Sequence, residues 1–189
     1  KYNFIYLVSV GKASIGMMDG ALKYLSKKNL QDKIKDKPII VSNHGNLEEI
    51  YNINVSTIIS SHPIPSNLSV SAATEAIDYV SNAVEKDLVL VLISGGASAL
   101  FCKPTKMISL EDKIKITNVL LKCGANINEI NTIRKHISDV KGGRFASFCS
   151  PAYCHSLVIS DVINDDLSTI ASGITSPDKT TFDDCIKKY

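Results

Sequence analysis

Short apolar runs alternate along the chain with longer segments in which apolar residues recur every three or four positions. The short runs predict five strands, at Phe4–Val10, Pro38–Ser42, Ser56–Ser60, Leu88–Ile93 and Ser156–Ile159. Strands that alternate with helices in this way are typical of an α/β sandwich around a largely parallel sheet. Because runs such as LVLVLI are apolar at every position, we expect helices to cover both faces of the sheet.

The predicted helices have recognisable start signals. In three segments a small polar residue is followed three residues later by an acidic one, which fits or approximates reciprocal capping of a helix N-terminus: Ser109–Asp112, Asn126–Glu129 and Thr180–Asp183. Another helix is predicted after Ser71 by apolar residues at helical spacing. These are Ala73, Ala76, Ile77, Val80 and Val84. We expect them to face the core.

Composition and charge exclude several classes of protein. The chain has 189 residues, 44% of them hydrophobic, which is enough for one domain with a substantial core. Its 21 basic and 19 acidic residues are mixed, so we expect neither a nucleic-acid partner nor an anionic membrane. The apolar runs are far shorter than the roughly 20 residues that span a bilayer. Five cysteines without a CxxC pair favour the reducing cytoplasm.

In open α/β sheets, ligands bind beyond the carboxyl ends of the strands. The segments that follow the predicted strands read GKAS, SNHG, SHPIP, SGGAS and SDV. The fourth consists of Ser94, Gly95, Gly96, Ala97 and Ser98. Its two glycines would let backbone amides approach a phosphate, although it is neither a Walker A loop nor a GxGxxG fingerprint. A tight turn between strand and helix explains these residues equally well, so both interpretations stay open.

Two basic side chains follow strands directly. Lys12 is a candidate ligand of a transferring phosphate, because a helix that begins soon after it would add positive potential to the ammonium charge. A solvated surface lysine is the alternative. His62 lies in His-Pro-Ile-Pro, where two prolines restrict the loop and could aim the imidazole at a substrate. A turn histidine without a catalytic role is the alternative there.

The segment NTIRKHISDVKGGR, at 131–144, predicts a cleft lining. If the helix that starts near Asn126 continues to about Lys141, polar residues share one face of it. These are Asn131, Arg134, Ser138 and Lys141, beside an apolar row of Ile130, Ile133 and Ile137. The Arg134 guanidinium would then suit a phosphate or a carboxylate. An arginine that extends along the helix edge to solvent is the alternative.

Acidic residues follow the last predicted strand. Asp161 comes directly after LVIS, an arrangement like the strand-end aspartate that serves Mg²⁺ in many phosphoryl-transfer enzymes. Asp165 and Asp166 follow in the same loop, and Mg²⁺ needs only one or two carboxylates together with water and phosphate oxygens. Asn-Asp-Asp is also common turn chemistry, which is the alternative for Asp165 and Asp166.

Taken together and in order, these motifs resemble one family. The strings are GKAS at 11–14, SHPIPSNLS at 61–69, LISGGASALF at 92–101, NTIRKHISDVKGGR at 131–144, SDVINDDLSTIASG at 160–173 and SPD at 176–178. They are similar to the N-terminal domain of the two-domain glycerate 2-kinases, whose C-terminal domain is called MOFRL. The likeness spans nearly the whole chain. It implies that residues 1–189 are one Rossmann-like domain of a longer chain whose MOFRL part is missing here.

The resemblance implies ATP- and Mg²⁺-dependent phosphorylation of the 2-hydroxyl of D-glycerate, in a cleft between the two domains. In this chain it implies catalytic roles for Lys12, Arg134 and Asp161. It implies cofactor binding by Ser94–Ser98 and Lys141, and metal binding by Asp161 and Asp165. Two positions depart from the family pattern: Ile163-Asn164 stands in place of Pro-Gly, and Ile174 stands in place of proline in Ser-Gly-Pro-Thr.

The sequence leaves an alternative of a different class open. The chain could be a non-catalytic module that binds a nucleotide or a sugar phosphate, with the cleft retained and turnover lost. Under either hypothesis the expected ligands are small molecules, and a homo-oligomer is compatible with the sequence. Phosphoryl transfer needs charge around both nucleotide and acceptor. The resemblance implies that a second domain completes the acceptor site, so we expect residues 1–189 alone not to phosphorylate glycerate.

Overall fold

The computed structural model describes residues 2–43 and 55–187. In these residues, five parallel strands form one sheet in the order β3-β2-β1-β4-β5. The strands are β1 Ile5–Val10, β2 Ile39–Ser42, β3 Ser56–Ile59, β4 Leu88–Ile93 and β5 Tyr153–Val158. All five predicted strands are confirmed, as is the α/β class with a parallel sheet. Strand β5 begins three residues earlier than predicted and ends one residue earlier.

The strand register brings the carboxyl ends of the strands to one edge. Val10 at the end of β1 pairs with Val41 of β2 on one side and with Ile93 of β4 on the other, and Ile93 pairs with Val158 of β5. The order 3-2-1-4-5 is that of the first five strands in dinucleotide-binding α/β sheets. The loops after β1 and β4 are therefore neighbours. In the SNHG segment after β2, His44 and Gly45 lie outside the described residues.

The helices described by the structure lie between and after the strands. They are α1 Ser14–Lys27, α2 Asn67–Val80, α3 Ala97–Leu100, α4 Leu110–Lys122, α5 Ile127–His136, α6 Arg144–Phe148 and α7 Phe182–Lys187. Alternating side chains of β1 point to opposite faces of the sheet. Leu7 packs with Ile15 and Met18 of α1, whereas Val8 belongs to the larger core on the α2 side.

Two of the predicted helix caps are confirmed, and the third is displaced by one residue. Ser109 Oγ accepts a hydrogen bond from the Asp112 N–H at 3.0 Å. Asn126 forms the complete reciprocal box with Glu129. At α7 the box uses Thr181 and Asp184, where the Thr181 N–H donates to Asp184 Oδ2 at 2.7 Å. Thr180 is engaged elsewhere, because its hydroxyl donates to Asp178 Oδ1 at 2.7 Å.

The helix predicted after Ser71 is confirmed, with different ends. It starts earlier, where Ser66 caps it and accepts from the Leu68 N–H at 3.1 Å, and it ends at Val80. Four of the five predicted core residues are buried. These are Ala73, Ala76, Ile77 and Val80. The prediction for Val84 is wrong: it is 56% exposed, because the chain has left the helix before reaching it.

The expectation that every strand is covered on both faces is wrong for β5. Its side chains alternate between exposed and half-buried. Cys154 and Val158 pack against the core on the α2 side, while Tyr153 and Leu157 on the other face are 64% and 48% exposed. Strand β5 is one of the two edge strands of the described sheet, and α1 covers β1 and β2 rather than β5. Within the described residues, no helix is long and apolar enough to cross a membrane.

The predicted continuation of α5 to Lys141 is also wrong. The helix ends at His136, and Ile137 is already outside it. The chain then runs beside the segment after α3, where Ser138 bridges to Pro104 and the Asp139 N–H donates to Lys103 O at 2.9 Å. Pairing with this segment replaces further helical hydrogen bonds. Asn131 and Arg134 lie on α5, whereas Ser138 and Lys141 reach the interior from an irregular segment.

Candidate functional site

The loops after β1 and β4 are joined at the carboxyl edge of the sheet. Gly11 has φ +127°, and a Cβ on it would lie 2.2 Å from Ser94 Oγ, so no side chain fits between the two loops. Ser94 Oγ accepts from the Ala13 N–H at 3.0 Å, and the Lys12 N–H donates to Gly95 O at 2.9 Å. The buried Ser94 therefore fixes the position of Lys12 relative to the two glycines.

Gly95 and Gly96 lie between three of the predicted functional side chains. A Cβ on Gly95 would be 2.1 Å from Asp161 Oδ2. A Cβ on Gly96 would be 3.1 Å from Lys12 Cγ and 3.2 Å from His62 Cδ2. Only glycines allow this packing, since Lys12, His62 and Asp161 all approach the backbone of the same loop. The fold thus brings together side chains from three separate strand ends.

The end of the glycine loop is held by a polar network. Ala97 is fully buried at the start of α3, and the Ser98 hydroxyl lies 2.8 Å from that of Ser172. Ser172 in turn donates to Asn131 Oδ1 at 3.0 Å, and Asn131 Nδ2 is buried without a hydrogen-bond partner. Ser172 and its neighbour Ala171 have φ of +57° and +55°, a left-handed conformation that non-glycine residues rarely adopt. Such strained backbone often lies at functional sites.

A pocket of about 420 Å³ opens beside Gly96. The His62–Pro65 loop lies on one side of it, helix α4 on another, and three cations line it: Lys113, Arg134 and Lys141. Lys113 and Lys141 are only 4% and 1% exposed. Across residues 2–43 and 55–187, no Asp or Glu lines this pocket, and none of the three cations makes an ion pair. Buried cations without carboxylates favour an anionic ligand.

Backbone carbonyls take the place of counterions for the two lysines. Lys113 Nζ donates to Arg134 O at 3.3 Å and to Ile137 O at 3.0 Å. Lys141 Nζ donates to Phe101 O at 3.4 Å and to Ala171 O at 3.3 Å. The Arg134 guanidinium has no hydrogen-bond partner within the described part of the chain. Its donors therefore stay available to a ligand in the pocket.

Burial makes the charged forms of these groups costly. Burial, aided by the neighbouring cations, lowers the pKa of Lys141 to about 7 and that of Lys113 to about 8; Cys102 opposes both shifts, and Asp139 also opposes that of Lys113. Burial also lowers the pKa of Arg134. At the mouth of the pocket, burial and then the Lys12 charge lower the pKa of His62. Groups whose pKa values are shifted by burial and by neighbouring like charges are typical of functional sites.

The acidic residues after β5 have different environments. Asp161 is exposed, lies against Gly95, and its carboxylate has no hydrogen-bond partner among the described residues. Asp165 is exposed and ends a turn, Ile163–Asp165, in which Asn164 has φ +66°. Asparagine thus adopts the left-handed conformation that glycine would otherwise supply. Asp166 holds the turn, because Oδ1 accepts from the Ser168 N–H at 2.9 Å.

The donors present fit a weakly held magnesium ion rather than a metal cage. Within the described residues, no three His, Cys, Asp or Glu side chains form a group that could hold a metal. Asp161 is a single exposed carboxylate beside a glycine loop. Since Mg²⁺ keeps several waters and binds through one or two carboxylates together with substrate phosphates, this environment is compatible with it.

The sequence analysis did not identify Lys113 as a candidate site residue, although it is the most buried residue of α4, at 4% exposure. Lys113 and Leu120 are the buried residues of this helix, and seven residues separate them, so they lie on one face. A lysine on the apolar face of an amphipathic helix was the available signal. Ser172 was missed as well, because its left-handed backbone and its contact with Ser98 depend on tertiary structure.

Fold and site together define an α/β domain with a cation-lined pocket at the carboxyl ends of parallel strands. The model of a family described as a domain of unknown function, DUF4147, matches residues 1–189. The chain belongs to this family. The resemblance to the glycerate 2-kinases is confirmed as well, since named glycerate 2-kinases are among its relatives.

A D-glycerate 2-kinase of Thermotoga maritima is 42% identical over 97% of this chain and 42% of its own length. A putative hydroxypyruvate reductase of Agrobacterium vitis is 39% identical over 94% of this chain and 44% of its own length. The crystal structure of glycerate kinase from Thermotoga maritima superposes with a TM-score of 0.89 at 40% identity, over 98% of this chain and 43% of that one. The chain thus spans less than half the length of these relatives.

Proposed function

We propose that this domain belongs to an enzyme that transfers the γ-phosphoryl group of ATP to the 2-hydroxyl of D-glycerate, giving 2-phosphoglycerate. The observation that carries the proposal is that a possible phosphate-binding loop and a possible acid-binding pocket lie side by side. A glycine loop contacted by Lys12 and Asp161 borders a pocket lined by cations without carboxylates. The first feature suits a phosphoryl group, and the second suits an acidic acceptor. The glycerate kinases among the relatives support the same activity.

Each residue contributes charge or position to this transfer. Lys12 stabilises negative charge on the transferring group, and the backbone of Gly95 and Gly96 can approach phosphate oxygens without Cβ obstruction. Arg134 and Lys141 supply further positive potential. Ser94 and Ser98 hold the loop rigid through their contacts with Ala13 and Ser172. Preorganised charge of this kind is the main contribution a protein makes to phosphoryl transfer.

We also propose that Asp161, with Asp165 in a lesser role, holds Mg²⁺ in the presence of nucleotide. The ion would neutralise charge on the phosphate oxygens. This assignment rests on the exposed Asp161 carboxylate beside Gly95. Among the described residues, Cys102, Cys123, Cys149 and Cys154 are free thiols, which supports a reducing compartment such as the cytoplasm.

Residues 1–189 form, in this proposal, one wall of the active site. The pocket is open beside the glycine loop, and the relatives have more than twice this length. Closure by a second domain would exclude water and align the acceptor with the phosphoryl group. Residues 1–189 alone are therefore expected to fold and to bind nucleotide weakly, without phosphorylating glycerate.

The test is a coupled ADP-release assay on the longest native chain, with isothermal titration of ATP and of glycerate. Glycerate-dependent ADP release supports the kinase. Binding of either ligand without turnover would favour the non-catalytic module instead. NADH oxidation with hydroxypyruvate is measured in parallel, because some relatives are named putative hydroxypyruvate reductases. Reduction without ADP release would overturn the proposal.

A further inference from the structure

We propose that the pocket between α4 and α5 takes the carboxylate of the acceptor acid, and that Lys113 is a substrate-binding residue which, with Arg134, selects an acid over a neutral polyol. The inference rests on the proposed function, since it assigns the two ends of the acceptor within the same site. Lys113 lies on α4, and this helix contains none of the sequence motifs by which the chain resembles the glycerate 2-kinases.

The cations in this pocket retain donors for a ligand. An ammonium group has three N–H donors. Two carbonyls accept from Lys113, at 3.0 Å and 3.3 Å, and two others accept from Lys141, at 3.3 Å and 3.4 Å. One donor of each lysine is thus left over, in addition to the whole guanidinium of Arg134. A carboxylate has two oxygens with about four acceptor positions, which matches donors that converge from several directions.

The depth of the pocket favours a small, flat anion. Lys113 and Lys141 are almost fully buried, so a ligand must enter the pocket to reach them. The walls beside them are largely apolar and include Ile114, Leu121 and Ala99. A three-carbon acid can place its carboxylate against the cations while its carbon chain contacts these walls. A nucleotide triphosphate carries its charges on a chain of bulkier tetrahedral groups and suits the open glycine loop better.

The orientation of the acceptor follows from what lies at the mouth. Gly96 and His62 line the pocket, and the space over Gly96 is bordered by both His62 and the side chain of Lys12. An acid bound with its carboxylate on the pocket floor therefore presents its hydroxyl end toward Gly96 and Lys12. This is the direction from which the phosphoryl group would arrive in the proposed reaction.

The protonation of the lysines supports an anionic occupant. Burial holds their pKa values at about 7 and about 8, and an anion in the pocket would favour the charged forms and draw protons in. Other groups also affect the charge of Lys113: Cys102 and Asp139 favour it, whereas Arg134 and Arg144 oppose it. Affinity for the acid should therefore fall as the pH rises above 8.

The experiment compares Lys113→Met with Lys115→Met in the longest native chain. Lys115 lies two residues away on the exposed side of α4, with 64% of its side chain accessible, and serves as the matched control. Glycerate and ATP are titrated separately by calorimetry. We expect Lys113→Met to weaken glycerate binding about 10- to 100-fold, because a charged hydrogen-bond partner is lost, and to change ATP binding less than about twofold. Lys115→Met should change neither.

A specificity readout separates binding from a structural role. The preference for D-glycerate over glycerol, which lacks the carboxylate, should fall at least about tenfold in Lys113→Met. Arg134→Gln should reduce the same preference, and thermal unfolding checks that both variants are folded. Equal weakening of ATP and glycerate binding, or an unchanged preference in both variants, would overturn the proposal. Because glycerate binding is measured without turnover, the pocket can be tested even if the kinase reaction fails.

Discussion

Opposite sides of helix α5 carry cations in two contrasting environments. Arg134 lines the pocket together with Lys113 and Lys141, and within the described residues none of these three groups forms an ion pair with a carboxylate. The next two residues of the helix, Lys135 and His136, lie 3.4 Å and 3.6 Å from the carboxylate oxygens of Asp178. Lys135 is as buried as Lys113, at 5% against 4% exposure.

At equal burial, the two groups of cations differ in pairing, so we expect pairing rather than burial to separate structural cations from ligand-binding ones. A buried cation with its counterion inside the protein is satisfied in the free state and holds the fold together. A buried cation that faces only carbonyl oxygens keeps part of its desolvation cost until an anion arrives. Substitutions of the pocket cations should therefore lower activity without lowering stability, whereas loss of the Asp178 pair should lower stability.

Lys12→Ala should give the largest effect and should lower turnover much more than it lowers stability. The Lys12 side chain lies beside Gly96, and the residue as a whole is exposed. In the full-length enzyme we expect kcat to fall about 10²- to 10³-fold, the range for removal of an electrostatic group from a transition state. Steady-state kinetics and thermal unfolding measure the two effects. Unchanged kinetics in a folded variant would refute the role of Lys12.

Asp178→Asn should give the opposite result. Removing the charge leaves Lys135 buried without its counterion, which costs about 3 kcal/mol of unfolding free energy. Although burial raises it, hydrogen bonds from Thr180 and the charges of Lys135 and His136 hold the pKa of Asp178 below its ordinary value. The parent should therefore lose this stability as the pH falls below the ordinary aspartate range, and the difference between the proteins should shrink there.

Denaturant unfolding at neutral and acidic pH measures this loss, with kcat as the internal control. A variant that keeps full stability but loses turnover would break the comparison, because it would assign Asp178 to the active site.

The aspartates should also differ according to whether they have a partner inside the protein. Asp161→Asn removes a charge that the described protein leaves without a partner, so we expect the Mg²⁺ concentration for half-maximal activity to rise at least about tenfold. ATP binding without metal should change less, and Asp165→Asn should have a smaller effect than Asp161→Asn. Magnesium titrations of activity measure these differences. Equal effects of both substitutions would contradict the division of roles.

Lys141→Met should give the smallest and most specific effect. The folded-state pKa of about 7 lies below the ordinary value of 10.5, so between these values the unfolded chain holds more protons. Stability of the parent should therefore rise as the pH increases from 7 toward 10. The variant should lose the part of this slope that Lys141 contributes, while Lys113 keeps its own part. It should be more stable than the parent at pH 7 by about 1 kcal/mol, because the hydrogen bonds lost, at 3.3 Å and 3.4 Å, are long.

Urea unfolding at pH 7 and pH 9 tests this sign. A variant less stable than the parent at pH 7 would mean that Lys141 is a structural cation like Lys135.

Local rules of the chain were enough to predict most of the fold. The five strands follow from apolar runs, because a strand buried between helices must be apolar along its length. The caps at Ser109 and Asn126 follow from hydrogen bonds between residues three apart. The glycine loop and Lys12 were identified because strand ends in parallel sheets meet at one edge.

Only the tertiary structure decided what depends on distant residues. Helix α5 ends at His136 because the following segment pairs with residues near Pro104, and no local signal marks that partner. Asp178 neutralises Lys135 although 43 positions separate them. Likewise, Lys113 becomes a pocket residue only when α4 packs beside α5, since its neighbours there are the carbonyls of Arg134 and Ile137. Sequence specifies which charges exist; packing decides which of them meet a counterion inside the protein.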